Sequence, residues 1–134
     1  MIVGERILEI TGSKVPKGNI KGLNINISLE DVKMAEDNLE ITYVYTANYE
    51  DKVGQIKIKG VLLSKEESKL AKNVVDTWKK SNKIPDDYAS VILSAVNYSG
   101  SANGTLLARV LNLTAPLIPP RIQLSKASES GKKD

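Results

Sequence analysis

Leu39-Glu40-Ile41-Thr42-Tyr43-Val44-Tyr45-Thr46-Ala47-Asn48-Tyr49 alternates with a period of two. Leu39, Ile41, Tyr43, Tyr45, Ala47 and Tyr49 fall on one side, and Glu40, Thr42, Thr46 and Asn48 on the other. That period belongs to a strand with one dry and one wet face, and this is the clearest such run in the chain. Glu50-Asp51-Lys52 makes a short polar turn into residues 53–63, where Ile56, Ile58 and Leu62 alternate with Lys57 and Lys59, so the two runs are expected to pair as a hairpin. Gly60 is a candidate bulge. Upstream, Leu23, Ile25, Ile27 and Leu29 interleave with Asn24, Asn26 and Ser28, which reads as another half-buried antiparallel strand. An earlier strand is expected over residues 5–11, although Ile7, Leu8 and Ile10 do not select one face. Residues 12–19 carry Gly12, Pro16 and Gly18 and read as an irregular crossover, while residues 30–38 read as a polar connection with room for one helical turn.

Downstream of Leu63 the period changes to that of a helix. Ser64-Lys65-Glu66-Glu67 fits a capping box, followed by an apolar stripe of Leu70, Ala71, Val74, Val75 and Trp78 that ends near residues 80–82. A second helix is expected to start at Pro85, Asp86 and Asp87, since proline suits a first turn and carboxylates favour the positive end of the helix dipole. Its apolar side would be Val91, Ile92, Ala95 and Val96. Small residues then crowd residues 94–105, with Gly100 and Gly104 among them, so the helix is either interrupted or packed very closely. Leu106, Leu107, Val110, Leu111 and Leu113 restore a stripe before Pro116, Pro119 and Pro120 force an extended path. Leu113, Leu117 and Ile118 lie in a segment that cannot cover them by its own secondary structure. They must pack on the body of the protein, on a partner or on a client, and the body is the simplest choice. The reading is one α+β domain over residues 1–124 with a disordered polar tail over residues 125–134.

The 134 residues contain no cysteine, no histidine and no phenylalanine. A chain of this length buries roughly two-thirds of its unfolded surface, enough for one core. Without cysteine there is no disulfide frame, thiol nucleophile or thiolate metal site, and without histidine the usual triads and most zinc and copper sites also go. The N-terminal residues have neither a basic segment nor a continuous apolar one, and no stretch approaches ~18 apolar residues. The reading is therefore a cytoplasmic protein without membrane insertion. Glycosylation sequons at Asn97, Asn103 and Asn112 read as chance matches in an Asn-rich chain.

The net charge of +3 comes from 19 basic and 16 acidic residues, scattered rather than gathered into a stripe. Aromatics are 4% of the chain, so a stacking surface for nucleic acid is not favoured, and binding through Lys57, Lys59 and the tail would have to fall steeply with salt. Gly12-Ser13-Lys14 lacks the glycine spacing of a phosphate loop, and Asp86 with Asp87 is explained by the helix start. Serine, lysine and tyrosine leave unusual catalysis open, but no spacing selects a pair. The expectation is no enzyme, no catalytic residue, no metal and no cofactor. Tyr43, Tyr45 and Tyr49 can hold an extended peptide or bases, because a phenol joins apolar area to a polar tip; burial of the sheet face accounts for two of the three.

The strand run with its crossover, the helix pair and then Leu111-Asn112-Leu113-Thr114-Ala115-Pro116 resemble the SecB family of export chaperones, above all its small SecB-like relatives. The resemblance runs from about residue 5 to residue 124. Its most specific part is Asn112 to Pro116, similar to the Leu-Asn-Leu-Ala-Pro-Val-Asn-Phe run of SecB, whereas Tyr43 to Trp78 matches by pattern. The resemblance implies a four-stranded antiparallel sheet with two helices on one face, assembled into homodimers or homotetramers. It also implies a protein-transport chaperone that holds non-native polypeptides in apolar grooves without ATP. The matching groove residues here are Val15, Ile20 and Leu23 on one side and Leu107, Leu111, Leu117 and Ile118 on the other. SecB docks on its translocation motor with an acidic surface and a metal-binding tail, and this basic chain has no cysteine or histidine in its tail. The other reading is a noncatalytic scaffold or regulatory adaptor that uses the same sheet for one defined protein partner.

Overall fold

The computed structural model describes residues 1–16 and 22–117. Four strands, β1 (Ile2–Lys14), β2 (Leu23–Ala35), β3 (Asn38–Tyr49) and β4 (Gly54–Ser64), form an antiparallel sheet in the order β1-β4-β3-β2. Two helices follow, α1 (Ser68–Ser81) and α2 (Asp86–Leu111). The fold class read from the sequence is the one observed. On β3 every inward residue from Leu39 to Tyr49 is buried, and Ile56, Ile58 and Leu62 of β4 join it. This face meets Ala71 and Val74 of α1 and Ile92, Val96 and Ala108 of α2 in one core. Removing that apolar area from water, at about 25 cal/mol per Å2, is the main force holding helices to sheet.

The places where the alternation blurs in the sequence are bulges. β1 shifts register between Ile7 and Glu9, so Ile7 lies opposite Gly60 and Ile10 opposite Ile58 on the same face although they are three residues apart. Leu8 is the extra residue, which is why the run selects no single side. β2 shifts between Leu29 and Asp31, so the inward set passes from Leu23, Ile25, Ile27 and Leu29 to Val32, opposite Ile41. Residues 30–35 are therefore strand, not a connection with a helical turn, and β2 reaches β3 through a tight turn with Glu36 in the left-handed region at φ 57°. Gly12, Ser13 and Lys14 likewise belong to β1, because the β4 ladder is there to receive them. The loop begins only at Val15.

Gly60 is not a bulge: β3 and β4 keep their register through it, opposite Tyr43. A Cβ at this position would lie 2.7 Å from the Tyr43 hydroxyl, so the glycine makes room for the ring. The capping box also fails. Ser64 is the last residue of β4, wholly buried, and its hydroxyl donates to Glu66 at 2.6 Å; the cap residue Glu67 makes no side-chain cap bond. α1 stops where expected, at Asn82 in the left-handed conformation.

α2 runs unbroken for 26 residues, through both glycines. Its buried stripe is Tyr88, Ile92, Val96, Gly100, Gly104 and Ala108, while Val91 is exposed and Ala95 only half-buried. Close packing is thus the answer to the small-residue segment. A side chain on Gly100 would run into the Tyr45 ring, and one on Gly104 would lie 2.8 Å from Pro116 Cγ.

Candidate functional site: the tyrosine-held segment and two clefts

The C-terminal end of α2 delivers the chain across one end of the sheet. Leu111 packs over Gly12 of β1, where a Cβ would lie 2.8 Å from its Cδ1, and Leu113 lies over Gly54 of β4. The helix closes on Asn112 in the left-handed conformation, and Lys14 donates to the Asn112 carbonyl at 3.2 Å. The Tyr49 hydroxyl then donates to the Thr114 carbonyl, and Pro116 is fully buried between Gly104 and the Tyr45 ring. The Tyr45 hydroxyl reaches the Pro116 carbonyl at 3.5 Å. Tyr45 and Tyr49 therefore hold an irregular segment of this chain, which turns at Pro116 where the Leu117 N–H donates to the Ala115 carbonyl at 2.9 Å, by its backbone carbonyls, a contact that does not depend on side-chain identity. Tyr43, further along the row, donates to Glu5, which also accepts from Ser99 of α2 at 2.7 Å.

Burial pushes the phenols of Tyr43, Tyr45 and Tyr49 above their ordinary value of 10.0, and for Tyr43 the bond to Glu5 adds to the effect. Burial also raises Tyr88, beside Ser64 and Glu66, to about 12. The phenols of Tyr43, Tyr45 and Tyr49 are neutral hydrogen-bond donors, whereas the buried Tyr88 hydroxyl has no hydrogen-bond partner among the described residues. Among the described residues no group of three or more side chains is placed to hold a metal ion, and no helix is long and apolar enough to cross a membrane.

Two clefts flank this arrangement. One of about 520 Å3 is lined by Ser13, Lys14, Val15, Asn48, Tyr49, Lys52, Val53, Gly54 and Gln55, at the sheet end where the C-terminal segment crosses. The other, about 290 Å3, opens between β2 and the helices, with Leu29, Trp78, Ile84 and Ala89 as apolar walls and Asn82, Lys83 and Asp86 on its rim. The residue types of this second cleft gave no motif in the sequence. The one available signal was Trp78, the only tryptophan, in the last turns of a helix that leaves it half-buried.

The groove residues expected from the sequence divide accordingly. Val15 is exposed in the larger cleft, and Leu23 is half-buried on β2 opposite Tyr49. Leu107 and Leu111 are half-buried on α2, and Leu117 is 67% exposed just beyond Pro116. Leu23, Leu111 and Leu117 thus lie around the crossing segment, with Val15 and Leu23 at opposite edges of the sheet. Ile20, Ile118 and the tail lie outside the described residues. Further exposed apolar side chains sit on β1 (Val3, Ile7, Leu8, Ile10) and on α2 (Tyr98, Leu106, Val110).

No family model matches the chain, and no curated protein sequence does. Among solved structures, the chain is similar to the Rv1957 SecB-like chaperone of Mycobacterium tuberculosis, solved in complex with a ChAD peptide from the HigA1 antitoxin. The TM-score is 0.59 at 12% identity, over 89% of this chain and 88% of that one. The fold is SecB-like, as the Asn112–Pro116 resemblance implied.

Proposed function

We propose that this protein is a SecB-like, ATP-independent chaperone or peptide binder that holds non-native polypeptide in apolar grooves of its cytoplasmic, noncatalytic α+β domain. The observation that carries this reading is the way Tyr45 and Tyr49 grip a proline-containing, non-helical segment by its carbonyls beside half-buried aliphatic rows. A surface that reads backbone carbonyls and apolar area accepts many sequences, as a holdase requires. The solved relative of like fold carries a bound peptide, which supports the same class of ligand. The grooves would be lined by Val15, Ile20 and Leu23 and by Leu107, Leu111, Leu117 and Ile118. The reading needs no cofactor and no nucleic acid.

The chain is proposed to work as a homodimer or homotetramer. β1 is an edge strand with Val3, Ile7, Leu8 and Ile10 exposed, and α2 presents Tyr98, Leu106 and Val110 to solvent. An edge with exposed apolar residues invites pairing with another chain, and a second copy is the natural cover.

The test is dilution of a chemically unfolded protein into stoichiometric amounts of this one, followed by light scattering and then by sizing of soluble material. Suppressed scattering with a co-migrating complex is the expected result, independent of nucleotide and weakened by Leu23→Asp. Undiminished scattering would sink the holdase and leave the adaptor with one defined partner.

A further inference from the structure

Along the chain the lysines of α1 are separated by other residues, and the wound helix brings them together. At about 100° per residue, Lys69, Lys72, Lys79 and Lys80 fall within an arc of about 100°, on the side opposite the buried Ala71 and Val74. All four are exposed, as are Lys65 and Lys83, which flank the helix. Asp76 is the only acid in that arc, and none of these lysines forms an ion pair among the described residues. Residues 65–83 hold six lysines against Glu66, Glu67 and Asp76, a net +3 that equals the charge of the whole chain.

Helix stability does not account for this row. Lys79 and Lys80 suit the negative end of the helix dipole, but Lys69 lies in the first turn, where no acid is present and a cation meets the positive end. A cationic face kept at both ends of a helix, against its dipole, suits an anionic partner. The face also runs into the smaller cleft. Lys79 follows Trp78 in sequence, and Lys83 stands on the rim of a cleft whose apolar walls include Leu29, Trp78 and Ile84. An occupant of both carries an apolar group for the cleft beside negative charge for the helix. Asp86 on the rim and Asp87 next to it repel a phosphate backbone, and Trp78 is one half-buried ring rather than a stacking row, so a polypeptide fits better than a nucleic acid. From Lys69 to Lys80 the helix rises about 17 Å, the length of about five extended residues.

We infer that α1 and the cleft beside it select polypeptide segments in which an apolar residue adjoins a run of about five residues rich in Asp and Glu. The inference rests on the chaperone or peptide-binder reading and names the class of segment that it takes. The cleft supplies the anchor and the lysines supply the choice. Exposed charge pairs of this kind are together worth about tenfold in affinity at low salt, and the gain fades as salt rises.

Trp78 is the only tryptophan, so its emission reports occupancy of the cleft without a label. Three short tryptophan-free peptides, with the same leucine anchor followed by a run of Glu, Gln or Lys, are titrated into the full chain. The Glu peptide is expected to shift the Trp78 emission and to bind about tenfold more tightly than the Gln peptide at about 0.01 M salt, with the two converging at about 1 M. The Lys peptide should bind least. Lys72→Glu with Lys79→Glu and Lys80→Glu, all at exposed positions, should reverse the order of the Glu and Lys peptides. Equal affinity for the Glu and Gln peptides at low salt would overturn the inference, as would an order that the three substitutions leave intact or a failure of every peptide to bind. A short DNA duplex that binds more tightly than the Glu peptide, and is lost in the same variant, would overturn it by assigning the face to phosphate. Equal affinities in a protein that still suppresses aggregation of an unfolded chain would end the selection and keep the holdase. Selection of the Glu peptide with undiminished scattering would keep the selection and replace the holdase by an adaptor for one acidic partner.

Discussion

The two sides of α2 carry the same spacing and have opposite fates. Tyr88, Ile92, Val96, Gly100, Gly104 and Ala108 recur every four residues and are buried; Tyr98, Ala102, Leu106 and Val110 recur every four residues and are exposed. A four-residue step exceeds the 3.6-residue turn by about 40°, so both rows wind around the axis together. What separates their C-terminal halves is the close approach of Tyr45 and Pro116 to one of them. The inner row contains the glycines that let Tyr45 and Pro116 approach the backbone, while the outer row keeps larger side chains where nothing in the described chain meets them. From Gly100 onward the fully buried residues of this helix are its small ones, Gly100, Gly104 and Ala108, while Leu106 and Val110 are exposed.

The strongest test removes atoms from each row. Ile92→Ala should lower the unfolding free energy by about 3–4 kcal/mol through lost burial and a cavity, and Leu106→Ala by under about 1 kcal/mol, read from urea midpoints. Equal losses would break the distinction between the rows. Adding atoms sharpens it in the other direction. Gly100→Ala drives a methyl into the Tyr45 ring and is expected to cost about 2–3 kcal/mol, whereas Ala102→Val should stay within about 0.5 kcal/mol. An unharmed Gly100→Ala protein would mean that the helix sits further from β3.

A third test reads the buried phenols of β3 and of the inner row itself. Tyr43, Tyr45, Tyr49 and Tyr88 have folded-state values above the ordinary 10.0, so the folded chain favours the protonated phenol. Their contribution is fully present below pH 10 and is lost as the pH climbs toward the Tyr88 value of about 12. Circular dichroism at fixed urea should show stability falling across that window, and less steeply for Tyr88→Phe. A flat profile would place these rings in water. The smallest effect on stability is expected from Leu106→Lys combined with Val110→Lys, within about 0.5 kcal/mol, although sedimentation should report a lighter assembly. An unchanged mass would remove the outer row from the proposed oligomer.

Much of this was legible in the chain. The alternation of Leu39 to Tyr49 gave β3 and its buried face, and the period change after Leu63 placed both helices. Residues 30–35 and the two-sided run at Ile7, Leu8 and Ile10 were misread or left open for one reason: a bulge moves the inward set by one residue, and pattern reading takes a broken period for the end of a strand. Ser64 had the right spacing for a cap, but the β4 ladder took it first. For the candidate site, the Asn112–Pro116 run marks the segment that crosses the end of the sheet, while the cleft between Leu29 and Trp78 joins residues about fifty positions apart and leaves no local trace.

The sequence alone determined that cysteine and histidine are lacking, that four runs would lie as strands and two as helices, and that Pro116 would end the helical part of the chain. These follow from residue type and short-range periodicity, which act within one element. Tertiary structure decided which face of α2 is dry, that Gly60 and Gly100 make room for tyrosine rings, and that Tyr45 and Tyr49 grip the chain by its carbonyls. Each of those depends on the distance between groups far apart in sequence, and such distances are set only when the elements pack.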